Sequence, residues 1–143
     1  MKILIMGLPG AGKTWLAERL QKHLNCAWYN ADRIREMAND WDFSDEGRIR
    51  QAMRMKSLAD FEQLYNKTVI CDFVCPTNNT RRQFRPSVII WLDTIVESRF
   101  KDTNTLFEQP NLRSTDIRIT NFLTDPEIKD LADSLIQRQL CNV

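Results

Sequence analysis

The stretch Gly7-Leu8-Pro9-Gly10-Ala11-Gly12-Lys13-Thr14 has few bulky side chains and ends in a lysine and a hydroxyl. The spacing G-x-x-x-x-G-K-[ST] suits a loop whose backbone N–H groups wrap phosphate oxygens. Lys13 would reach the outer phosphates and Thr14 would hold Mg²⁺. The flanks fit: apolar KILIM reads as a strand before the loop, and WLAERLQKHL, from Trp15 onward, as a helix after it. A helix starting near Lys13 would aim unpaired N–H groups and the positive end of its dipole at the anion.

Two acids stand where further chemistry could sit. Asp32 follows a short second strand, AWYN, and a carboxylate there would face the loop across the open edge of the sheet. It could accept a proton, bind Mg²⁺ through water, or simply cap the helix that begins RIREM. Asp72 ends an apolar strand, a place for a magnesium-orienting acid or for an ordinary strand-end turn. Arginines are numerous, and their planar forks pair with phosphate or sulfate, although most belong to solvated surface. Arg48 and Gln51 are three residues apart and share a helix face. Phe43 and Phe73, each at a loop edge, could sandwich a flat ring or fill the core.

Elements able to position these groups follow from periodicity. Helix Lys13–Leu24 places Leu16, Ala17, Leu20 and Leu24 on one face. Ala31 to Met37 allows a helical turn or two, and NDWDFSDE a loop ending in a cap. From Asp45 to about Asn66 a long helix has Ile49, Met53, Leu58, Phe61 and Tyr65 among its apolar positions. KTVICDF and SVIIWL are the third and fourth strands, the latter an apolar run typical of a buried parallel strand. Pro76 to Gln83 reads as a loop with a short helix. Residues 99–114, including KDTNTLFEQPNLR, lose periodicity and read as a mobile lid over the site. DIRITNF offers a fifth strand. TDPE then supplies a cap, Thr124 with Glu127 or Asp125 before Pro126, for a helix bearing Ile128, Leu131, Ala132 and Leu135.

Alternating strands and helices imply crossover units. The expected fold is α/β in three layers: a mainly parallel, about five-stranded sheet with helices on both faces. Ligands of such sheets gather outside the carboxyl ends of the strands, which collects Gly7–Thr14, Asp32, Asp72 and Phe73. With 143 residues, residues 1–143 make one domain. Charged residues at 27% and hydrophobic ones at 43% are ordinary for a soluble globular chain. The glycines and Pro9 cut the first apolar run short of a signal or membrane segment, so a cytoplasmic location and no membrane partner are expected. A net charge of +1 carries no specific nucleic-acid signal. Cys26, Cys71, Cys75 and Cys141 form no C-x-x-C pair, so reduced thiols are expected. No N-K-x-D base-reading element of a GTPase is present, and the length does not hold a motor's partner domains. A small kinase fits.

These residues, taken as an ordered series, resemble the adenylylsulfate kinase family. That family's GLSGSGKST corresponds to GLPGAGKTW, DGDNVR to NADRIR, and DLGFSxxxR with ENIRR to DWDFSDEGR with RQAMR. FISPYR corresponds to FVCPTN and RDxKGLY to KDTNTLF, so the similarity runs to about Phe107 and weakly beyond. The resemblance implies a P-loop NTPase fold and transfer of the ATP γ-phosphate to the 3′-hydroxyl of adenylyl sulfate with Mg²⁺. It further implies a nucleotide-sized small-molecule acceptor and a homodimer, although no exposed apolar stripe is read in the sequence. Gly7 to Trp15 would bind ATP, with Lys13 and Asp32 catalytic. Thr14, Asp32 and Asp72 would serve the metal. Arg35, Phe43, Arg48, Gln51, Phe73, Val74, Lys101, Asn104 and Leu106 would meet the acceptor. Departures concentrate on the acceptor side. Asn30 stands for an acid, Gln51 for an asparagine, Cys75 for a serine, Asn78 for an arginine, Lys101 for an arginine, Asn104 for a lysine and Thr105 for a glycine. A kinase of the same build acting on a nucleoside, nucleotide or modified base, and a nucleotide-binding module without turnover, are the alternatives.

Overall fold

Strand β1 (Lys2–Met6) is buried at every position, because neighbours pair with it on both edges and helices cover both faces. In this computed structural model, which describes residues 1–141, the chain continues through α1 (Lys13–Leu24), β2 (Ala27–Asn30), α2 (Ala31–Ala38), α3 (Asp45–Leu64) and β3 (Val69–Asp72). It proceeds to α4 (Asn78–Phe84), β4 (Val88–Leu92), α5 (Lys101–Leu106), β5 (Ile117–Ile119) and α6 (Asp125–Cys141). The five strands form one sheet in the order β2-β3-β1-β4-β5, parallel throughout. Ile3 pairs in register with Ile70 on one side and Val88 on the other.

The two-residue period of the strand sorts the core into two layers. Ile3 and Ile5 face α1 and α6, with Leu16, Leu20, Ile90, Ile128 and Leu135. Leu4 and Met6 face α3 and α4, with Met55, Ala59, Cys71 and Phe84.

Caps fix where the helices begin. Asn30 Oδ1 accepts from Arg33 N at 3.0 Å, and Ser44 Oγ accepts from Gly47 N at 3.2 Å. At α6 the first of the two expected caps forms: Thr124 Oγ1 accepts from Glu127 N, while Glu127 Oε1 accepts from Thr124 N at 3.0 Å.

Three sequence expectations need correction. First, α3 buries Gly47, Gln51, Met55 and Ala59, whereas Ile49, Met53, Phe61 and Tyr65 are exposed. These four recur every fourth residue and so share one side of the helix, which meets Asp42 at Gly47 and the second core layer at Met55 and Ala59. An exposed apolar set on α3 thus exists where none was read. Second, residues 99–114 are not wholly irregular: α5 lies within them, and Phe107 and Leu112 pack on the second core layer. Six residues are too few for helical period to register, and Phe100 gives no side-chain cap to announce the start. Third, β5 spans only Ile117–Ile119, so Thr120–Phe122 leave the sheet. The two turns expected from Ala31 onward are present as α2, which ends at Ala38.

Candidate active site

The loop after β1 bends back on itself before any ligand is considered. Gly12 has a left-handed φ of 100°, and a Cβ there would lie 2.6 Å from the Phe122 ring. Only glycine meets both demands. Thr94 Oγ1 donates to Ala11 O at 2.8 Å, tying the loop to the segment after β4. Lys13 Nζ donates to Leu8 O at 3.0 Å, curling back over the loop. Burial lowers the Lys13 ammonium from its ordinary 10.5 to about 8, with the charges of Asp72 and Asp32 opposing the fall.

Beneath Lys13 lies a polar cluster held by three adjacent strand ends. Asn30 Nδ2 donates to Thr14 Oγ1 at 3.1 Å and to both oxygens of Asp72 at 3.1 and 3.2 Å. Trp28 Nε1 donates to Asp72 Oδ2. Burial of Asp72 raises its pKa, opposed by these hydrogen bonds and by Lys13. The Thr14 hydroxyl and the Asp72 carboxylate are the oxygens here that could serve a hard cation, since Mg²⁺ needs only one or two protein oxygens beside phosphate and water; the Asn30 amide presents N–H donors and holds the two together. Because Asn30 caps α2, Asp32 is released from that duty; it projects from the first turn of α2 into the cleft.

The cleft has a volume of about 1910 Å³. Arg35 follows Asp32 on the same face of α2 and is 5% exposed. Its Nη1 donates to Asp40 O at 2.9 Å and Asp42 O at 3.1 Å. Arg48 Nε donates to Phe43 O at 3.0 Å, and its Nη2 to Thr103 Oγ1 at 3.3 Å. Among the described residues neither arginine has a carboxylate in ion-pair contact. By contrast Arg50 and Arg54 are both spent on Asp40, fixing the loop that connects α2 to α3. That loop also packs on Gly47, where a Cβ would come within 2.1 Å of Asp42 O.

Most residues read from the sequence meet at this cleft: Pro9, Gly10 and Gly12 to Trp15 at one end, Asp32 and Asp72 in the middle, and Arg35, Phe43, Arg48, Phe73 and Val74 beyond them. Lys101 and Leu106 of α5 line its rim. Gly7, Leu8 and Ala11 lie within the loop but do not line the cleft. Gln51 lines it with both ends of its amide engaged: Nε2 donates to Ala31 O at 2.9 Å and Oε1 accepts from Arg54. Asn104 is turned away, its Nδ2 donating to Ser98 O and its Oδ1 accepting from Ser98 N and Oγ. Its neighbour Thr103 takes the cleft position instead. Sequence reasoning missed Thr103, Trp28 and Phe122, whose roles arise from pairings 44 to 110 residues apart or from a helix without a cap.

A parallel sheet with this loop at the end of its central strand, and Asp72 at the end of the neighbouring strand, defines a P-loop kinase-like α/β protein. The chain belongs to the AAA domain family, whose pattern matches residues 3–103. No curated protein matches it. Among solved structures it is similar to the APS kinase of Mycobacterium tuberculosis in complex with AMPPNP and APS, at 18% identity and TM-score 0.71, covering 95% of each chain. A gluconokinase from Sinorhizobium meliloti shares 14% identity at TM-score 0.69, with 99% of this chain and 94% of that one covered. Shikimate kinase from Aquifex aeolicus shares 16% identity at TM-score 0.67, with 98% and 99% covered. Likeness at these identities is likeness of fold. No described helix is long and apolar enough to cross a membrane.

Proposed function

We propose that the chain is an ATP-dependent kinase for an anionic alcohol, with adenylyl sulfate, phosphorylated on its 3′-hydroxyl, as the first acceptor to test. The observation that carries this reading is the pair Arg35 and Arg48, two guanidinium groups facing the cleft beyond Asp32 without a carboxylate on either. A buried cation, Arg35, and a half-buried one, Arg48, left unneutralised by the protein favour a ligand that brings negative charge.

In this reading the acceptor oxygen bonds to the γ-phosphorus, the bond to the β–γ bridging oxygen breaks, and Asp32 takes the hydroxyl proton. Lys13 and the backbone N–H groups of Gly7–Thr14 hold the triphosphate in line. Thr14 and Asp72 would hold Mg²⁺, which neutralises charge on the phosphates when bound. Asn30 keeps Thr14 and Asp72 side by side. Residues 99–114, whose α5 lines the rim, would cover the cleft once both substrates are in place.

Two observations favour a wider acceptor range than adenylyl sulfate. Asn104 is occupied by Ser98, and the Phe43 ring lies under Arg35. A hydroxylated carboxylic acid, of the kind named for the gluconokinase and shikimate kinase neighbours, would use the same arginines. The test is an acceptor panel read by product mass with [γ-¹⁸O]ATP. Labelled phosphoryl on adenylyl sulfate supports the first acceptor, and label only on another anionic alcohol supports the second. ATP binding with no transfer to any acceptor, unchanged by Asp32→Ala, would leave a nucleotide-binding module without turnover.

A further inference from the structure

The guanidinium carbon of Arg35 lies over the Phe43 ring, 4.3 Å from its centroid, and that of Arg48 lies over the same ring at 5.6 Å. A ring face covered by a guanidinium is not free to stack on a purine. The backbone joins in: carbonyls of Asp40, Asp42 and Phe43 accept from the same two arginines. We propose that Phe43 is a positioning residue that holds Arg35 and Arg48 together as one anion-binding pair, rather than a platform for a flat ring of the acceptor.

The inference rests on the reading above that the acceptor carries negative charge. Two cations sharing one short loop repel each other: burial is the main cause lowering Arg35's pKa, and the charge of Arg48 adds to the fall while that of Asp40 opposes it. The negative face of an aromatic ring and three carbonyl dipoles offset that repulsion without cancelling the net charge, as a carboxylate would. The pair therefore keeps two positive charges for an incoming anion. Asp32 and Asp45 also line the cleft and temper this field, while Lys101 on α5 adds to it. The loop is not free to swing Phe43 elsewhere, since Arg50 and Arg54 grip Asp40, and Gly47 leaves no room behind Asp42. Phe73 remains the aromatic side chain lining the cleft from the β3 end, with the Phe84 ring edge-on to it at 5.6 Å. Selection by this site would then follow the acceptor's charge first and its ring second.

Inorganic sulfate is the probe, because it has charge and no ring. Its affinity is measured by calorimetry at constant ionic strength, with the phosphate loop filled by Mg²⁺ and a non-hydrolysable ATP analogue, in the unaltered protein, Phe43→Leu, Phe43→Tyr and Arg35→Ala. Expected are sulfate binding by the unaltered protein, loss with Arg35→Ala, about tenfold weakening with Phe43→Leu, and recovery with Phe43→Tyr. Unchanged sulfate affinity in Phe43→Leu, with weaker binding of adenine-bearing acceptors only, would establish the stacking role and overturn the proposal. Absence of sulfate binding in the unaltered protein would overturn it too. Equal unfolding midpoints and ATP-analogue affinities of the variants separate these outcomes from misfolding, and because no turnover is read, failure here is distinct from failure to transfer phosphate.

Discussion

Lys13 combines burial with a charge that the chemistry requires, and its tests can be written with their sign. Replacing it by Ala removes the cation that the proposed reaction places nearest the transferred phosphoryl group, so turnover should fall by about 10² or more; a rate near that of the unaltered protein would contradict the assignment. Because burial brings its pKa to about 8 from 10.5, the folded protein releases this proton before the unfolded chain does. Between those values the unfolded state binds more protons, so this group makes the ligand-free protein more stable as pH rises through the window. Binding a polyanion needs the charged form, so ATP affinity should weaken above pH 8 by up to about tenfold per pH unit, as titration calorimetry would record. Asp32→Asn should lower kcat by about 10² to 10⁴ while leaving ATP affinity nearly unchanged, and an equal loss in both would assign Asp32 to metal or nucleotide binding instead. The contiguous run Gly7–Thr14 made the donor side legible, since neighbours in sequence are neighbours in space. Thr103, Trp28 and the spent amides of Gln51 and Asn104 were not legible, because each depends on a partner that only the fold brings near.

At the scale of elements, the joint between α2 and α3 shapes the acceptor end. Gly47→Ala would set a methyl group against the Asp42 carbonyl, and the loop bearing Phe43 would have to move. The expected cost is about 1–3 kcal/mol in urea unfolding, with a raised KM for acceptor and an unchanged KM for ATP. A change confined to the KM for ATP would show that the joint serves the other end of the cleft. Helix starts were readable at α3 and α6, where Ser44 and Thr124 stand as caps, whereas at α2 the cap is Asn30 and not Asp32. The helix α5 and the inward side of α3 escaped for different reasons. The first is short and uncapped, whereas α3 was readable as a helix but carries apolar residues around its whole circumference, so their spacing did not mark the side that packs.

For the molecule as a whole, alternation of apolar strands with amphipathic helices was enough to read a parallel three-layer α/β arrangement, though the strand order was not, since nothing local says which strands flank β1. Both core layers hang on the strands they share. Ile90→Ala in β4 should cost about 2–5 kcal/mol in denaturant unfolding, and a loss below about 1 kcal/mol would mean that α1 and α6 close over the gap. The position of β1 has one more consequence. Its registered partners, Val69 and Val88, are made long after it during synthesis, so the finished nucleotide motif emerges on an unpaired apolar ribbon. A nascent chain halted before Val88 would carry every residue of the motif and still fail to capture a triphosphate, which makes ligand retention a gauge of completed translation and folding.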